Sequence, residues 1–363
     1  MARKADLENP QKILVRATNW IGDAVISLPA LEALRARFPR AEIVLLSKPW
    51  VSEVYAHCLD VPRQILYDPQ GKHHGLKGME GLIRDLRSEH FDLAVLFQNA
   101  FQAAWIAWRA GIPARIGYAR DGRGLLLTDA VPVPLRGAYG HEAYYYLQLL
   151  FRAGLIERPE PAKPLGEARL ALRDAELLWA AKRLQALRLD GPRCLIGIHP
   201  GASFGPAKRW PPERFAALGD RLVGALRADV LIFGSAAEIP LAESIAQAMK
   251  HAPTVLAGKT TLTQMLALLA HCQLVFTNDS GPMHLAAAIG LPLVAVFGST
   301  DERATGPTSA VARVVKHPVE CSPCGLRNCP IDFRCMQNVT VESVLNTALE
   351  LLAQVEKSYD HPA

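Results

Sequence analysis

LVFTNDSGPMHLAAAIGLPLVAVFG, residues Leu274–Gly298, is the stretch that decides the fold of this chain. Leu274–Thr277 is a short apolar run stopped by Asn278, as in a buried parallel strand. Pro282–Ile289 carries small and apolar residues at helical spacing, with Gly290 placed as its C-terminal stop. Pro292–Phe297 is a second buried strand, so the stretch is one compact βαβ unit. Asn-Asp-Ser-Gly, between the first strand and the helix, leaves backbone N–H groups open at a helix N-terminus. Unpaired donors and the positive end of the helix dipole favour a bound phosphate there. His284, on the first turn, faces the same opening. Taken alone, the turn is equally well explained by Asp279 or Ser280 capping the helix. Three further polar loops, expected on the same sheet edge, weigh toward a ligand.

On either side of this unit the same alternation continues. Upstream, Lys12–Arg16 reads as a strand, Thr18–Asp23 as its loop, and Ala24–Phe38 as a helix that Pro29 kinks or restarts behind Ser27. Ile43–Ser47 and Asp92–Phe97 read as strands, Trp105–Ala110 and His141–Ala153 as helices, and the basic, glycine-rich Arg115–Gly124 as a loop. Pro159, Pro161 and Pro164 give Glu157–Gly166 the composition of a linker. A second series follows, with strands at Cys194–Ile198, Val230–Phe233 and near Thr254–Leu256. Its helices are at Arg173–Leu187, Pro212–Ala225, Ile239–Met249 and Leu262–Ala270, and Val341–Glu356 is a terminal helix. The reading predicts an α/β protein of two Rossmann-like domains, residues 1–165 and 166–340, with residues 341–363 as a C-terminal helix and tail. Open parallel sheets bind ligands beyond the carboxyl ends of their strands. Two such domains facing each other would place the site in the cleft between them.

Composition narrows the class. The chain has 363 residues, 50% hydrophobic and 21% charged, with a net charge of +5. That is globular composition. The mild positive charge suits an anionic substrate or membrane surface and gives no reason to expect a nucleic-acid partner. Met1–Gln11 is polar, and no apolar run approaches the roughly 20 residues that span a bilayer. A soluble or peripheral cytoplasmic protein is expected, its seven cysteines kept reduced.

The loops after the strands carry the candidate chemistry. A dinucleotide dehydrogenase needs G-x-G-x-x-G after its first strand and an acid ending the second. Here the first loop, ATNWIGDAV, has a single glycine and the second strand ends Ser47-Lys48, and no P-loop motif occurs. Asp23 sits where the first loop meets its helix, a place that favours the charged form a general base needs, or simply a first-turn helix acid. In His199–Trp210, HPGASFGPAKRW, Gly201 and Gly205 allow close backbone approach. Ser203 and Lys208 can meet phosphate oxygens, unless Lys208 and Arg209 are merely solvated. Glu238 follows the next strand, where a carboxylate can accept both hydroxyls of a ribose or serve as a first-turn acid.

Together these stretches resemble glycosyltransferase family 9, the bacterial lipopolysaccharide heptosyltransferases, most closely the heptosyltransferase II branch. The resemblance rests on RATNWIGDAVISLPALEALR, AGIPARIGYARDGRGLLL, GASFGPAKRWPPERFA and TNDSGPMHLAAA. It implies a GT-B arrangement, with acceptor on the N-terminal half and ADP-heptose on the C-terminal half, and an inverting transfer of heptose to a lipid A–Kdo inner-core acceptor. Heptosyltransferases I and III, or a sugar-nucleotide binder without turnover, are the alternatives. By position, Asp23 would be the base, Lys208 would neutralise the leaving diphosphate, and Glu238 would hold the ribose. Asp279 would bind sugar hydroxyls, Ser203, Ser280 and Gly281 would serve the diphosphate, and His284 would lie at the sugar-phosphate end. Asn19, Trp20, Arg115, Arg120 and Arg123 would meet the acceptor. With Lys72 and Lys77, the three arginines would also draw the protein to the anionic inner face of the inner membrane.

No metal is expected in the chemistry. Cys321, Cys324, Cys329 and Cys335 have spacings compatible with structural zinc only for the first pair, and free thiols are the favoured reading.

Overall fold

A computed structural model describes residues 9–58, 60, 62–135, 140–159 and 170–360. The proline-rich stretch predicted as a linker lies outside the described residues from residue 160 onward. The chain divides into two compact units, Met1–Ala168 and Arg169–Ala363.

The first unit is a six-stranded parallel sheet. Its strands are β1 (Lys12–Arg16), β2 (Glu42–Ser47), β3 (Arg63–Leu66), β4 (Leu93–Leu96), β5 (Ala114–Tyr118) and β6 (Asp129–Val131), in the order β3-β2-β1-β4-β5-β6. The second has β7 (Leu195–His199), β8 (Asp229–Ile232), β9 (Thr254–Val255), β10 (Leu274–Asn278), β11 (Leu293–Phe297) and β12 (Ala312–Lys316), ordered β12-β11-β10-β7-β8-β9. Counted from its own first strand, each unit runs 3-2-1-4-5-6, the order of a Rossmann sheet. All ten strand pairings are parallel; Leu274 lies opposite Ile196 and Val275 opposite Leu293, for example. In each sheet the order reverses between its first and fourth strands, β1 and β4 or β7 and β10.

The central strands are apolar because helices cover both faces. Every residue of β7, β10 and β11 is buried. Between them Ile196, Ile198, Phe276, Val294 and Val296 pack with Trp210, Phe215 and Leu222, side chains whose burial contributes about 1.5–3 kcal/mol each. The helix Val341–Asp360 belongs to this core: its Val344, Leu345, Ala348 and Leu351 are buried among the same residues. It is thus an element of the second unit and not a separate tail.

In the first unit the helix Ile21–Arg37 continues through Pro29 and does not restart there. The proline removes one N–H, and Ser27 Oγ bonds the Ala24 carbonyl at 2.8 Å in the turn before it. Arg115–Tyr118, read from sequence as loop, is strand β5, and only the residues beyond it turn. Among the described residues no helix is long and apolar enough to cross a membrane.

Candidate active site

Ligands of an open parallel sheet bind beyond its carboxyl edge, where the strand order reverses. In the second unit that edge carries Pro200–Arg209 after β7, Ser235–Glu238 after β8, Asp279–Gly281 after β10 and Ser299–Thr305 after β11. Buried polar groups are nearly always paired. Yet His199 Nδ1, Arg209 Nε and Ser299 Oγ are buried without a partner, and all three lie on this edge.

The loops are pinned to one another. Asn278, fully buried, donates to the Pro200 carbonyl at 2.7 Å and accepts the Trp210 N–H at 3.0 Å, so β10 fixes both ends of the loop after β7. That loop delivers Lys208, whose Nζ meets Asp279 Oδ2 at 2.5 Å. The same oxygen accepts Thr300 Oγ1 at 2.6 Å and Thr305 Oγ1 at 3.2 Å. The side chains of Lys208 and Asp279 are 12% and 4% exposed, so both charges are largely out of water. Such a pair is stable only if further hydrogen bonds satisfy it, which the two threonines do. Asp279, expected to bind sugar hydroxyls, is here the anchor that sets the position of Lys208. Lys208 Nζ also stands 4.8 Å from the Phe204 ring centroid, and the Arg327 guanidinium lies 5.2 Å from the same ring.

Glu238 is held as firmly. Its Oε2 accepts the Ser235 N–H and Oγ, each at 2.8 Å, and stands 4.0 Å from His199 Nε2. Burial alone would raise this carboxyl, but the His199 and Ser235 contacts outweigh burial and hold it below its ordinary value. Burial holds the His199 ring below its own ordinary value despite the nearby carboxylate, so at neutral pH Ser235 carries most of the restraint. A Cβ on Gly201 would fall 1.7 Å from Glu238 Oε1, so the carboxylate fills the space the glycine leaves. Ser280 starts the helix Gly281–Ala288 without a side-chain cap; its Oγ pairs with Thr277 Oγ1 at 3.0 Å instead. The first-turn N–H groups are therefore not taken by a Ser280 cap, and buried His284 sits on that turn. Ser203 is exposed on the loop after β7. The edge thus presents a fixed cation, helix N–H groups and a fixed carboxylate, in the pattern a nucleoside diphosphate requires.

In the first unit the loop after β1 presents Asn19 and Trp20, and Asp23 lies half-buried on the first turn of the following helix. Burial, with the Asp23 charge as the next contributor, pushes the Tyr146 hydroxyl well above its ordinary value. Two of the expected acceptor contacts are structural. Arg123 is fully buried, its guanidinium donating to the Tyr118 and Gln98 carbonyls and to Asn99 Oδ1. Arg115 donates to the carbonyls of Leu126, Ile112 and Pro113. A guanidinium whose fork is filled by main-chain oxygens braces a loop and has little left for a ligand. Arg120 is the exposed one of the three, paired with Asp121 at 3.6 Å.

Sequence reading passed over Thr300, Thr305, Ser299, His199 and Arg327. The threonines and Ser299 follow β11, which was recognised as a strand but not followed into its loop. Arg327 had no signal of its own, because it lies among the cysteines. That segment is laced to the edge: Gly325 N–H bonds the Ser299 carbonyl at 2.7 Å, Ser322 Oγ the Gly298 carbonyl at 2.6 Å, and Ala207 N–H the Arg327 carbonyl at 3.1 Å. Cys321 and Cys324 are exposed, Cys329 accepts the Phe333 N–H at 3.3 Å, and Cys335 is buried. Among the described residues no three His, Cys, Asp or Glu side chains group as metal ligands.

Known proteins resemble this chain over most of its length. Lipopolysaccharide heptosyltransferase 2 of Escherichia coli K12 is 33% identical over 313 residues, 84% of this chain and 88% of that protein. Lipooligosaccharide heptosyltransferase 2 of Campylobacter jejuni serotype O:2 is 28% identical over 347 residues, 94% of this chain and 98% of its own. The solved structure of the E. coli ADP-heptose LPS heptosyltransferase II superposes with a TM-score of 0.80 at 31% identity, covering 95% of this chain and 99% of that one. Both of the present units have its kind of parallel α/β sheet, and the fold is GT-B. The profile of glycosyltransferase family 9 (heptosyltransferase) matches residues 79–333, and with a relative this similar over this much of its length the chain belongs to that family and is a glycosyltransferase.

Proposed function

We propose that this heptosyltransferase moves heptose from ADP-heptose to the inner core of lipopolysaccharide, adding the second heptose to a heptosyl-Kdo2-lipid A acceptor, with inversion. The Lys208–Asp279 pair beside an uncapped helix start is the observation that carries the donor half. The likeness to heptosyltransferases 2 of several organisms supports the choice of sugar and position. Asp23 takes the proton of the acceptor hydroxyl as its oxygen attacks the anomeric carbon. The bond from that carbon to the diphosphate breaks, and the charge left on ADP is met by Lys208 and the helix N–H groups. Glu238 receives the ribose diol. Because fixed cations and dipoles supply the electrostatic stabilisation, no metal takes part, and turnover persists in EDTA.

The acceptor is a membrane lipid, and the first unit presents it with exposed Lys77, Lys72 and Arg120 and with Leu76 and Leu125, which are 85% and 96% exposed. Peripheral attachment to an anionic leaflet follows, weakening with salt as charge attraction is screened beyond roughly 8 Å. Mass spectrometry of the products from ADP-heptose with Kdo2-lipid A and with heptosyl-Kdo2-lipid A tests the main reading. Transfer to the heptosylated acceptor is expected; transfer only to the unheptosylated one refutes the second-heptose assignment. Equal binding to neutral and anionic vesicles would refute the membrane reading.

A further inference from the structure

At the carboxyl edge of β1 and β2 in the first unit lie two cations with no acid beside them. Arg16, the last residue of β1, is 2% exposed, and its guanidinium donates to the carbonyls of Ala17 at 2.7 Å and Leu46 at 3.0 Å and to Asn19 Oδ1 at 3.1 Å. Its Nε is buried without a partner. Lys48, immediately after β2, is half-buried. Among the described residues no carboxylate lies within 4.0 Å of either. A cation largely removed from water is normally compensated by a neighbouring acid; here three oxygens of the fold take the Arg16 Nη donors, while its Nε and the Lys48 ammonium are left without an acid partner. Burial, followed by repulsion from Arg16, lowers the Lys48 ammonium from its ordinary value.

One tryptophan meets this charge and a second lies on the adjoining loop. Lys48 Nζ stands 4.9 Å from the Trp50 ring centroid, and Trp50 Nε1 donates to the Asn19 carbonyl at 3.0 Å. Trp20 follows Asn19 in the same loop. Trp20 and Trp50 remain 55% and 41% exposed, although large aromatics are usually well covered. Asn19 therefore ties the Trp50 ring to Arg16: its side-chain oxygen accepts from the guanidinium and its carbonyl from the Trp50 indole. Flat, exposed rings with an amphipathic edge suit the apolar face of a sugar, while the few polar groups around them fix its orientation.

We infer that Lys48, Trp50 and Trp20 form a subsite for a carboxylate-bearing sugar ring of the acceptor, with Arg16 acting beneath it through Asn19 as a positioning residue. This rests on the lipopolysaccharide-acceptor reading, which named Asn19 and Trp20, and adds Lys48, Trp50 and Arg16 to it. Lys48 meets the carboxylate, and the indoles carry the ring. Phosphate is the other anion such an acceptor offers. An exposed ring with one ammonium 4.9 Å from its centroid suits an acid group attached directly to the stacked sugar ring.

The test uses the full chain with Lys48→Met and Trp50→Leu, and heptosyl-Kdo2-lipid A in native, carboxyl-reduced and dephosphorylated forms. Lys48→Met is expected to raise KM about tenfold for the native and dephosphorylated acceptors and less than twofold for the carboxyl-reduced one, with donor Kd unchanged. Trp50→Leu is expected to raise KM for all three. An equal effect of Lys48→Met on native and carboxyl-reduced acceptors, or no effect, overturns the subsite. An effect abolished by dephosphorylation assigns the charge to phosphate and overturns the carboxylate. A wild-type chain that transfers to none of the three refutes the transferase reading, and a second measurement then decides the subsite. Titration of indole fluorescence with the methyl glycoside of Kdo should still show binding, weakened about tenfold by Lys48→Met; no binding to wild type overturns the subsite.

Discussion

Lys208→Met tests whether the second unit's edge is built around one buried ion pair. The substitution keeps the length of the side chain and removes the charge facing Asp279 Oδ2 at 2.5 Å. Breaking a buried pair from one side costs about 3–5 kcal/mol, because the remaining charge is stranded. Thr300 and Thr305 still donate to that oxygen, so the lower end, about 3 kcal/mol, applies. The second unit runs from Arg169 to Ala363, a size at which 1 kcal/mol moves Tm by about 2–4 °C. A fall of roughly 6–12 °C in its transition is expected. Asp279→Asn leaves Lys208 a route to solvent along its stem and should cost less, about 1–2 kcal/mol. The double variant should be more stable than the sum of the two predicts, by about 1–2 kcal/mol. Calorimetry of the three variants, with ADP titrated into each, separates structure from binding. Loss of the diphosphate's charged partner should raise the ADP Kd by roughly 10–100-fold, the worth of one charge-assisted hydrogen bond. A Lys208→Met protein that melts within 1–2 °C of wild type, or strictly additive variants, would falsify the anchoring role of Asp279.

Other outcomes follow from the same geometry. Asp23→Asn should lower turnover by about 10²–10⁴-fold while donor Kd stays unchanged; near-normal turnover in folded protein removes Asp23 as the base. Gly201→Ala should displace the Glu238 carboxylate, since the new methyl would lie 1.7 Å from Oε1. Its cost should appear as a roughly tenfold rise in donor Kd with little change in Tm, because a carboxylate can swing aside where main chain cannot; unchanged donor affinity would show that Glu238 does not touch the ribose. Burial holds His199 below its ordinary 6.5, so the folded state favours the neutral ring. Stability present above that value is lost as pH falls from it toward the folded pKa. His199→Gln should flatten that part of a urea-midpoint profile, and an undiminished slope as pH falls below 6.5 contradicts the assignment.

The central strands were legible because burial on both faces leaves a continuous apolar run; Leu274–Asn278 and Leu293–Phe297 declare themselves. The strands that escaped are of another kind. RQIL of β3 and ARVVK of β12 lie at sheet edges, are only partly buried and carry charge. ARIGY of β5 begins beside a basic residue, and its glycine suggested a turn. Gly117 has a packing role: a Cβ there would stand 3.0 Å from Arg123 Nη2, so the buried guanidinium would have to shift to admit one. The glycine and the arginine thus explain each other, a relation between strand and loop that neither local pattern contains.

The same distinction governs the site. Residues recognised through their position after a strand, such as Lys208, Glu238 and Asp279, all appear on the edge where strand position puts them. What sequence could not supply is which charges are already spent. Arg115, Arg120 and Arg123 look alike in RIGYARDGRG, yet two donate to main-chain oxygens of their own unit and one is exposed beside Asp121. Conversely, Arg16 and Lys48 ended strands and drew no functional attention, because only the folded sheet shows that two cations share an edge without an acid. Burial pushes the Arg123 and Arg16 guanidiniums down alike, to about 10, and so does not separate them. Their surroundings do. Each guanidinium donates to two main-chain carbonyls and one asparagine Oδ1, but Arg123 uses its Nε in doing so, whereas Arg16 keeps an unpaired Nε and adjoins a loop carrying an exposed indole. That unpaired Nε and the unpaired Lys48 ammonium are the reason the proposed acceptor subsite is placed on the loops after β1 and β2 and not on Arg115 and Arg123.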